Sequence, residues 1–284
     1  MKTYNLFEKT VLRLFKYIGL LAIVLIFITP FVWMVSSAFK PRDELFAYIY
    51  PVSWKTFFPL QPTFDNIIAV LRDAGLGSAM MLSFFIAVVT VVISLFICSM
   101  MAFVLARLEF PGRGIVFALT LATLLVPFEA RIVPLFFVMQ NLKLDNTIPA
   151  VFLPWVADAF IIFLLRQHFA DLPNELYDAA ITDGCSHFRV FWNIMLPNIT
   201  PILISAALIK FIWSWDSFIW PLIILRDPNL RVVQVAIGYL FGDQRILWEQ
   251  VFAGAFISTI PILIMFLALQ KYYISGMVTS GIKG

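Results

Sequence analysis

Long apolar runs alternate with short polar ones along most of this chain. Six runs, about 16–38, 78–106, 113–140, 147–169, 199–225 and 250–273, are each close to or above the length a helix needs to cross a bilayer. About 20 predominantly apolar residues suffice for that. The pattern therefore predicts six membrane-spanning helices. Lys2, Lys9, Arg13 and Lys16 precede the first run. A cleaved leader would carry similar flanking cations, but its apolar core spans only about 7–15 residues. The longer run here reads as a retained helix. The four cations put the N-terminus on the cytoplasmic side, and six crossings return the C-terminus to it. Loops near 39–77, 141–146 and 226–249 then face outward.

Pro127, Pro134, Pro154, Pro221 and Pro261 fall inside these runs. Proline removes a backbone hydrogen bond and bends a helix, and membrane helices tolerate it where neighbours satisfy the freed groups. Two readings stand for each: a packing kink, or a helix shaped around a cavity.

The segment 171–198 breaks the apolar pattern. Pro173 suits a first helical turn, with Glu175 near the positive helix end. Leu172, Leu176, Ala179 and Ala180 recur at i, i+4, i+7 and i+8, an apolar stripe. Gly184 can stop that helix and Ser186 can cap a second. Phe188, Phe191, Trp192 and Met195 form the second stripe, and Pro197 bars simple continuation. Two short amphipathic helices joined at a glycine are predicted. Such a pair could lie on the bilayer surface. The acidic face of Glu175, Asp178 and Asp183 would be repelled by anionic lipid and favours a protein partner.

Composition agrees with the pattern. The 284 residues are 62% hydrophobic and 13% charged, against about 45–50% and about 25% in soluble domains. A formal charge of +3 is too small and scattered for nucleic-acid binding. Two cysteines, Cys98 and Cys185, and two histidines, His168 and His187, offer no metal-ligand spacing. On the predicted topology the cysteines lie in different compartments, which disfavours a disulfide. The histidines sit at or beyond the inner membrane edge, which disfavours hydrolytic chemistry within the bilayer.

The order Asp-Ala-Ala at 178–180, Gly184, then Ile-Met-Leu-Pro at 194–197 resembles the EAA loop of ATP-binding-cassette importer permeases, with Asp178 where Glu is usual. "LRQHFADLPNELYDAA", "SWDSFIWPLI" and "SGMVTSGIKG" resemble the carbohydrate branch, in the six-span partner of the maltose-type pair. The resemblance implies an all-α integral membrane protein of the type I importer (MetI-like) fold. It would be one transmembrane domain over 1–284, with a coupling loop at 171–198 and a C-terminal cytoplasmic tail at 275–284. It also implies a homologous permease partner, two ATPase subunits that hold ATP and magnesium, an extracytoplasmic solute-binding protein and a sugar cargo. The location would be a bacterial or archaeal cytoplasmic membrane. Glu175, Asp178, Ala179, Ala180, Asp183, Gly184, Leu196 and Pro197 are the expected ATPase contacts. The chain has no G-x-x-x-x-G-K-[ST] loop, so it would borrow its ATPase.

Ionisable residues inside spans are costly and mark a pathway or a pairing. Glu129, Arg131, Asp158, Lys210 and Asp216 are such residues, and Asp158 with Lys210 could neutralise each other. Trp213, Trp215, Asp216, Ser217 and Trp220 combine rings and polar atoms suited to sugar. An aromatic belt at the lipid interface is the other reading. Related permeases more often carry Asn at the Asp216 position. "FEARIVP" at 128–134 resembles glycerol-phosphate importers, where Arg131 would meet an anionic cargo. The rival functions are import of amino acids, phosphate or metal on the same fold, an intramembrane enzyme, and a proton-coupled transporter using Asp158 or Glu129.

Overall fold

The fold is known from a computed structural model, which describes residues 2–242 and 246–278, with side chains over 9–242 and 246–271. Among the described residues every regular element is helical. Three helices are long and apolar enough to cross a membrane unbroken. They lie within α1 (Lys2–Ala38), α2 (Leu76–Arg107) and, as the last element introduced here, α11 (Trp248–Val278). Between α2 and α11 lie α3 (Arg113–Leu125), α4 (Phe128–Asn141), α5 (Ile148–Trp155), α6 (Ala159–Asp171), α7 (Asn174–Thr182), α8 (His187–Asn198), α9 (Thr200–Trp215) and α10 (Ile219–Ile224). Most of the tail expected at 275–284 lies outside the described residues, and α11 continues to Val278.

Three of the predicted spans are not straight helices. α3 and α4 meet at 105° and α5 and α6 at 44°, while the run 199–225 is split between α9 and α10 at Asp216–Phe218. Among the described residues, counting the bent pairs α3 with α4, α5 with α6 and α8 with α9 as one crossing each gives up to six spans. The prolines explain two of the breaks. Pro127 holds the N-cap of α4 in extended backbone, and Pro154 lies in the tight 3-10 turn that ends α5. Pro134 and Pro261 pass inside continuous helices.

The described chain forms two compact units, Met1–Gly77 with Ile237–Thr259 and Ser78–Ala236 with Ile260–Gly284. In the first, the segment after α1 is tied by buried polar groups. Lys40 Nζ donates to the carbonyls of Lys55 (2.9 Å) and Thr56 (2.8 Å). Glu44 accepts from the backbone N–H groups of Leu60 and Gln61, and Asn66 donates to the carbonyls of Ala38 and Lys40. Burial pushes the Lys40 ammonium below its usual range, and nearby Glu44 opposes that shift.

The second unit contains both candidate regions. Its helix α2 buries small residues, Ala87, Ser94, Cys98, Ser99 and Ala102. Small side chains let membrane helices approach closely. Cys98 also bonds to the carbonyls of Val156 and Asp158 at the break between α5 and α6. Both cysteines are free.

Candidate functional site

The segment 171–198 folds as a two-helix foot. α7 starts at Asn174 with Pro173 as its N-cap, one position later than the spacing suggested. It ends in a Schellman turn: Gly184 N–H donates to Ile181 O (2.9 Å) and Cys185 N–H to Ala180 O (3.0 Å). Gly184 has φ +82°, so the left-handed position the turn needs is filled by the residue that takes it without strain. Ser186 Oγ accepts from Arg189 N–H and caps α8. Ahead of Pro197, residues Phe191–Met195 widen into a π-turn. The chain then bends by 83° from α8 into α9 around buried Ile199.

The inward stripe of α7 differs from the predicted one. Ala180 is buried, with Tyr177 and Ile181 packed beside it, while Leu176 and Ala179 are exposed. The helical register that turns Tyr177 inward puts Leu176 and Ala179 on the outer side. Glu175, Asp178, Ala179, Asp183 and Gly184 thus share an open surface, while Ala180 belongs to the core. On α8, Phe191 and Met195 are buried; Phe188 and Trp192 stay exposed, stacked on each other at 14°. Leu196 is half-buried and Pro197 exposed.

One core joins this foot to the ends of three membrane helices. Ala180, Val190, Phe191 and Met195 pack with Phe103 of α2, Phe169 of α6 and Ile202 of α9. Ring centroids of Phe103 lie 5.3 Å from Phe191 and 5.8 Å from Phe169. Arg107, at the end of α2, donates to the carbonyls of Phe169 and Leu172 and to the Asn174 side chain. It satisfies carbonyls that the C-terminus of α6 leaves without helical partners. Tyr177 hydroxyl bonds to His187 Nδ1 (2.8 Å) across the Gly184 turn. Burial, reinforced by Asp178, pushes the Tyr177 phenol above its usual range, with Arg107 acting the other way. Neither Arg107 nor Tyr177 was singled out as a candidate from sequence. The only sequence cue for Arg107 is an arginine ending an apolar run.

A cavity of about 470 Å³ lies where the helix breaks converge. Leu124 and Phe128 flank the first break, Trp155 and Asp158 the second, and Ser214 and Ser217 the third; all six line the cavity. Irregular backbone at membrane depth is tolerated where it is buried or lines a cavity. Trp155 and Trp213 supply ring faces, and Thr90, Thr123, Ser214 and Ser217 supply hydroxyls.

The predicted residues sort unevenly. Trp213, Ser217 and Arg131 line the cavity, as the sequence suggested. Trp215 and Trp220 are each 1% exposed and belong to the core; Trp220 Nε1 donates to Ala150 O at 3.0 Å. Asp216 follows the end of α9, is exposed, and accepts from Gln234 Nε2 at 3.2 Å, away from the cavity lining. Glu129 sits in the first turn of α4, where the helix dipole favours a carboxylate, and does not line the cavity. Asp158 and Lys210, for which pathway and pairing both stood open, form an ion pair at 2.7 Å, with side chains 19% and 4% exposed. Asp158 also caps α6 by accepting from Phe160 and Ile161 N–H. Trp155, Ser214 and the hydroxyls of Thr90 and Thr123 were missed. Pro154 immediately before Trp155 was the available signal.

The foot and the broken helices lie within residues 95–278, the region that matches the family model described as "Binding-protein-dependent transport system inner membrane component". The chain belongs to this family. It is thus the membrane permease component of such a system, and the family places it in the inner membrane. Two relatives of nearly equal length are transport-system permease proteins. It is 35% identical to the arabinooligosaccharides transport system permease protein AraQ of Halalkalibacterium halodurans, over 94% of this chain and 95% of that one. It is 32% identical to the trehalose/maltose transport system permease protein MalG of Thermococcus litoralis, over 98% and 99%. A solved bacterial ABC transporter involved in import of the acidic polysaccharide alginate contains a chain of the same fold. The TM-score is 0.82 at 21% identity, covering 94% of this chain and 98% of that one.

Proposed function

We propose that this family member forms half the translocation pathway of an ATP-driven, binding-protein-dependent carbohydrate importer. The observation that carries the reading is the foot, built around one core with the ends of α2, α6 and α9. A push on its open face moves three membrane helices together. The same helices, or their broken continuations, line the cavity, so movement of the foot changes access to it. Rings and hydroxyls in that cavity suit a sugar, which offers apolar C–H faces and a polar rim. The relatives named for arabino-oligosaccharides and for trehalose and maltose support the same cargo class.

In this reading both termini are cytoplasmic and residues 1–284 act as one transmembrane domain. A homologous permease completes the pathway, and two ATPase subunits carry ATP and magnesium and dock against Glu175, Asp178, Ala179 and Asp183. ATPase closure drives the foot, the cavity opens outward, and sugar enters from the binding protein. Hydrolysis and release reset the cycle. Leu196 and Pro197 stiffen the junction between foot and α9. Asp158 is engaged by Lys210 and by the cap of α6, which speaks against a free proton carrier at that position.

Ala179→Arg tests the docking face. It puts a cation on an exposed, small position and leaves the buried core untouched. ATPase retention on the purified membrane complex should fall about tenfold or more, because the added charge is desolvated without a partner. Full retention of ATPase with normal sugar uptake would sink the docking assignment.

A further inference from the structure

Two more arginines stand at the helix ends that Arg107 ties together. Arg166 of α6 lays its guanidinium over the Phe117 ring of α3, 4.1 Å from carbon to ring centroid. Arg113 is four residues before Phe117, so both lie on one side of α3. The Phe117 ring also stacks on Phe163, about one turn before Arg166, with 14° between the planes. The two cations therefore share one junction between the start of α3 and the last turns of α6.

Each guanidinium is held from behind by a carbonyl at the end of α2. Arg166 Nε donates to Leu105 O at 3.3 Å, and Arg113 Nη1 to Leu108 O at 3.1 Å. The last carbonyls of a helix lack helical partners and accept such donors. These bonds use one nitrogen of each side chain. The other nitrogens donate to nothing among the described residues and are open to the surroundings. Both arginines are half-buried, and no described carboxylate lies within ion-pair distance of either. Glu109, in the turn between α2 and α3, is exposed and pairs with neither, and the first turn of α3 holds no acid. Beyond them on α3, Ile115 and Leu119 are exposed apolar side chains.

We propose that Arg113 and Arg166 bind the phosphate of an anionic phospholipid in the leaflet next to the foot. Basic pockets between membrane helices take such head groups. Two planar forks fit the phosphate oxygens, and two cations repel the ammonium of a zwitterionic head group. The acyl chains run along Ile115 and Leu119. The bound lipid joins the start of α3 to α6, one turn before the Phe169 carbonyl that Arg107 holds. It thereby stiffens the junction between the foot and the membrane helices. The site is separate from the cavity and does not depend on the cargo.

The test uses the complete importer in detergent, without sugar or nucleotide. It is titrated with dioctanoyl phosphatidylglycerol, dioctanoyl phosphatidylcholine or inorganic phosphate, and bound lipid is counted by native mass spectrometry. At the tightest site, phosphatidylglycerol should bind about tenfold or more tighter than phosphatidylcholine. Arg113→Gln with Arg166→Gln should abolish that preference, and lysine at both positions should keep part of it. Arg113→Gln alone should weaken it and carries the test where the double variant does not assemble. Lys9→Gln with Arg13→Gln, which removes exposed cations ahead of the first span, should leave it unchanged. Equal affinity for the two lipids in the unsubstituted importer overturns the proposal, and that comparison needs no variant to fold. An equal loss in the Lys9 and Arg13 variant also overturns it, since attraction would then be diffuse. So does a preference that survives removal of both arginines, as expected if they meet a carboxylate of the second permease. Displacement of phosphatidylglycerol by an equal concentration of inorganic phosphate overturns the lipid as the source of the phosphate.

Discussion

The foot and the cavity belong to the same compact unit but are built in opposite ways. The foot is one continuous segment, 171–198, with a cap, a glycine stop, a second cap and a core stripe on each helix. The cavity is lined by residues from Thr90 to Ser217, contributed wherever a membrane helix is interrupted. In the foot, the glycine stop and the Ser186 cap agree with the tertiary packing, which favours a stiff element. Around the cavity, helical regularity is given up so that backbone and side chains can face a space. In the proposed cycle the stiff foot passes motion and the broken helices receive it.

The largest effect expected of a single change separates core tryptophans from cavity tryptophans. Trp220→Ala should cost about 3–5 kcal/mol, the usual range for emptying a buried aromatic site, read as thermal unfolding in detergent. Trp213→Ala, at a side chain 48% exposed, should change stability by only about 0.5 kcal/mol while weakening sugar-stimulated ATPase activity. If Trp213→Ala unfolds the protein as Trp220→Ala does, the division between core and lining is wrong.

The ion pair should come next. Lys210→Met leaves the Asp158 carboxylate without its cation and should cost about 3–5 kcal/mol at most, reduced by the remaining cap bonds to α6. Adding Asp158→Asn should recover most of the loss, since the amide oxygen still caps α6 and no charge is stranded. A double variant as unstable as the single one would show that Lys210 acts through packing alone.

The smallest effect belongs to the foot. Gly184→Ala meets no atom within 4 Å, so its penalty comes from φ +82° alone, about 1–2 kcal/mol. Hydrogen exchange should rise in α7 and α8 and stay unchanged around the cavity. Equal loosening in both regions would mean that the foot is not a separate stiff element.

The foot was legible in the sequence because its signals are short-range. Gly184 and Ser186 do what their positions suggest, and Pro173 is displaced by one residue. The stripe was misassigned because Leu176 and Tyr177 are both apolar enough to face inward on so short a helix. What turns inward is Tyr177, packed against Phe103 of α2, 74 residues earlier in the chain, a contact no local signal announces. The cavity was only partly legible. Trp213, Trp215 and Trp220 look alike in sequence, and which of them lines a space depends on where α9 stops and α10 begins.

The apolar periodicity by itself determined the six hydrophobic stretches, the helical class and the two-helix foot, because hydrogen bonding along a membrane helix is local and lipid rewards every apolar position. Only the tertiary structure decided that Pro127 and Pro154 break their helices, that Asp158 meets Lys210, and that Arg131 is left facing the cavity while Glu129 is not. Those outcomes depend on which distant groups satisfy a freed carbonyl or a buried charge, and that is set by packing between segments far apart along the chain.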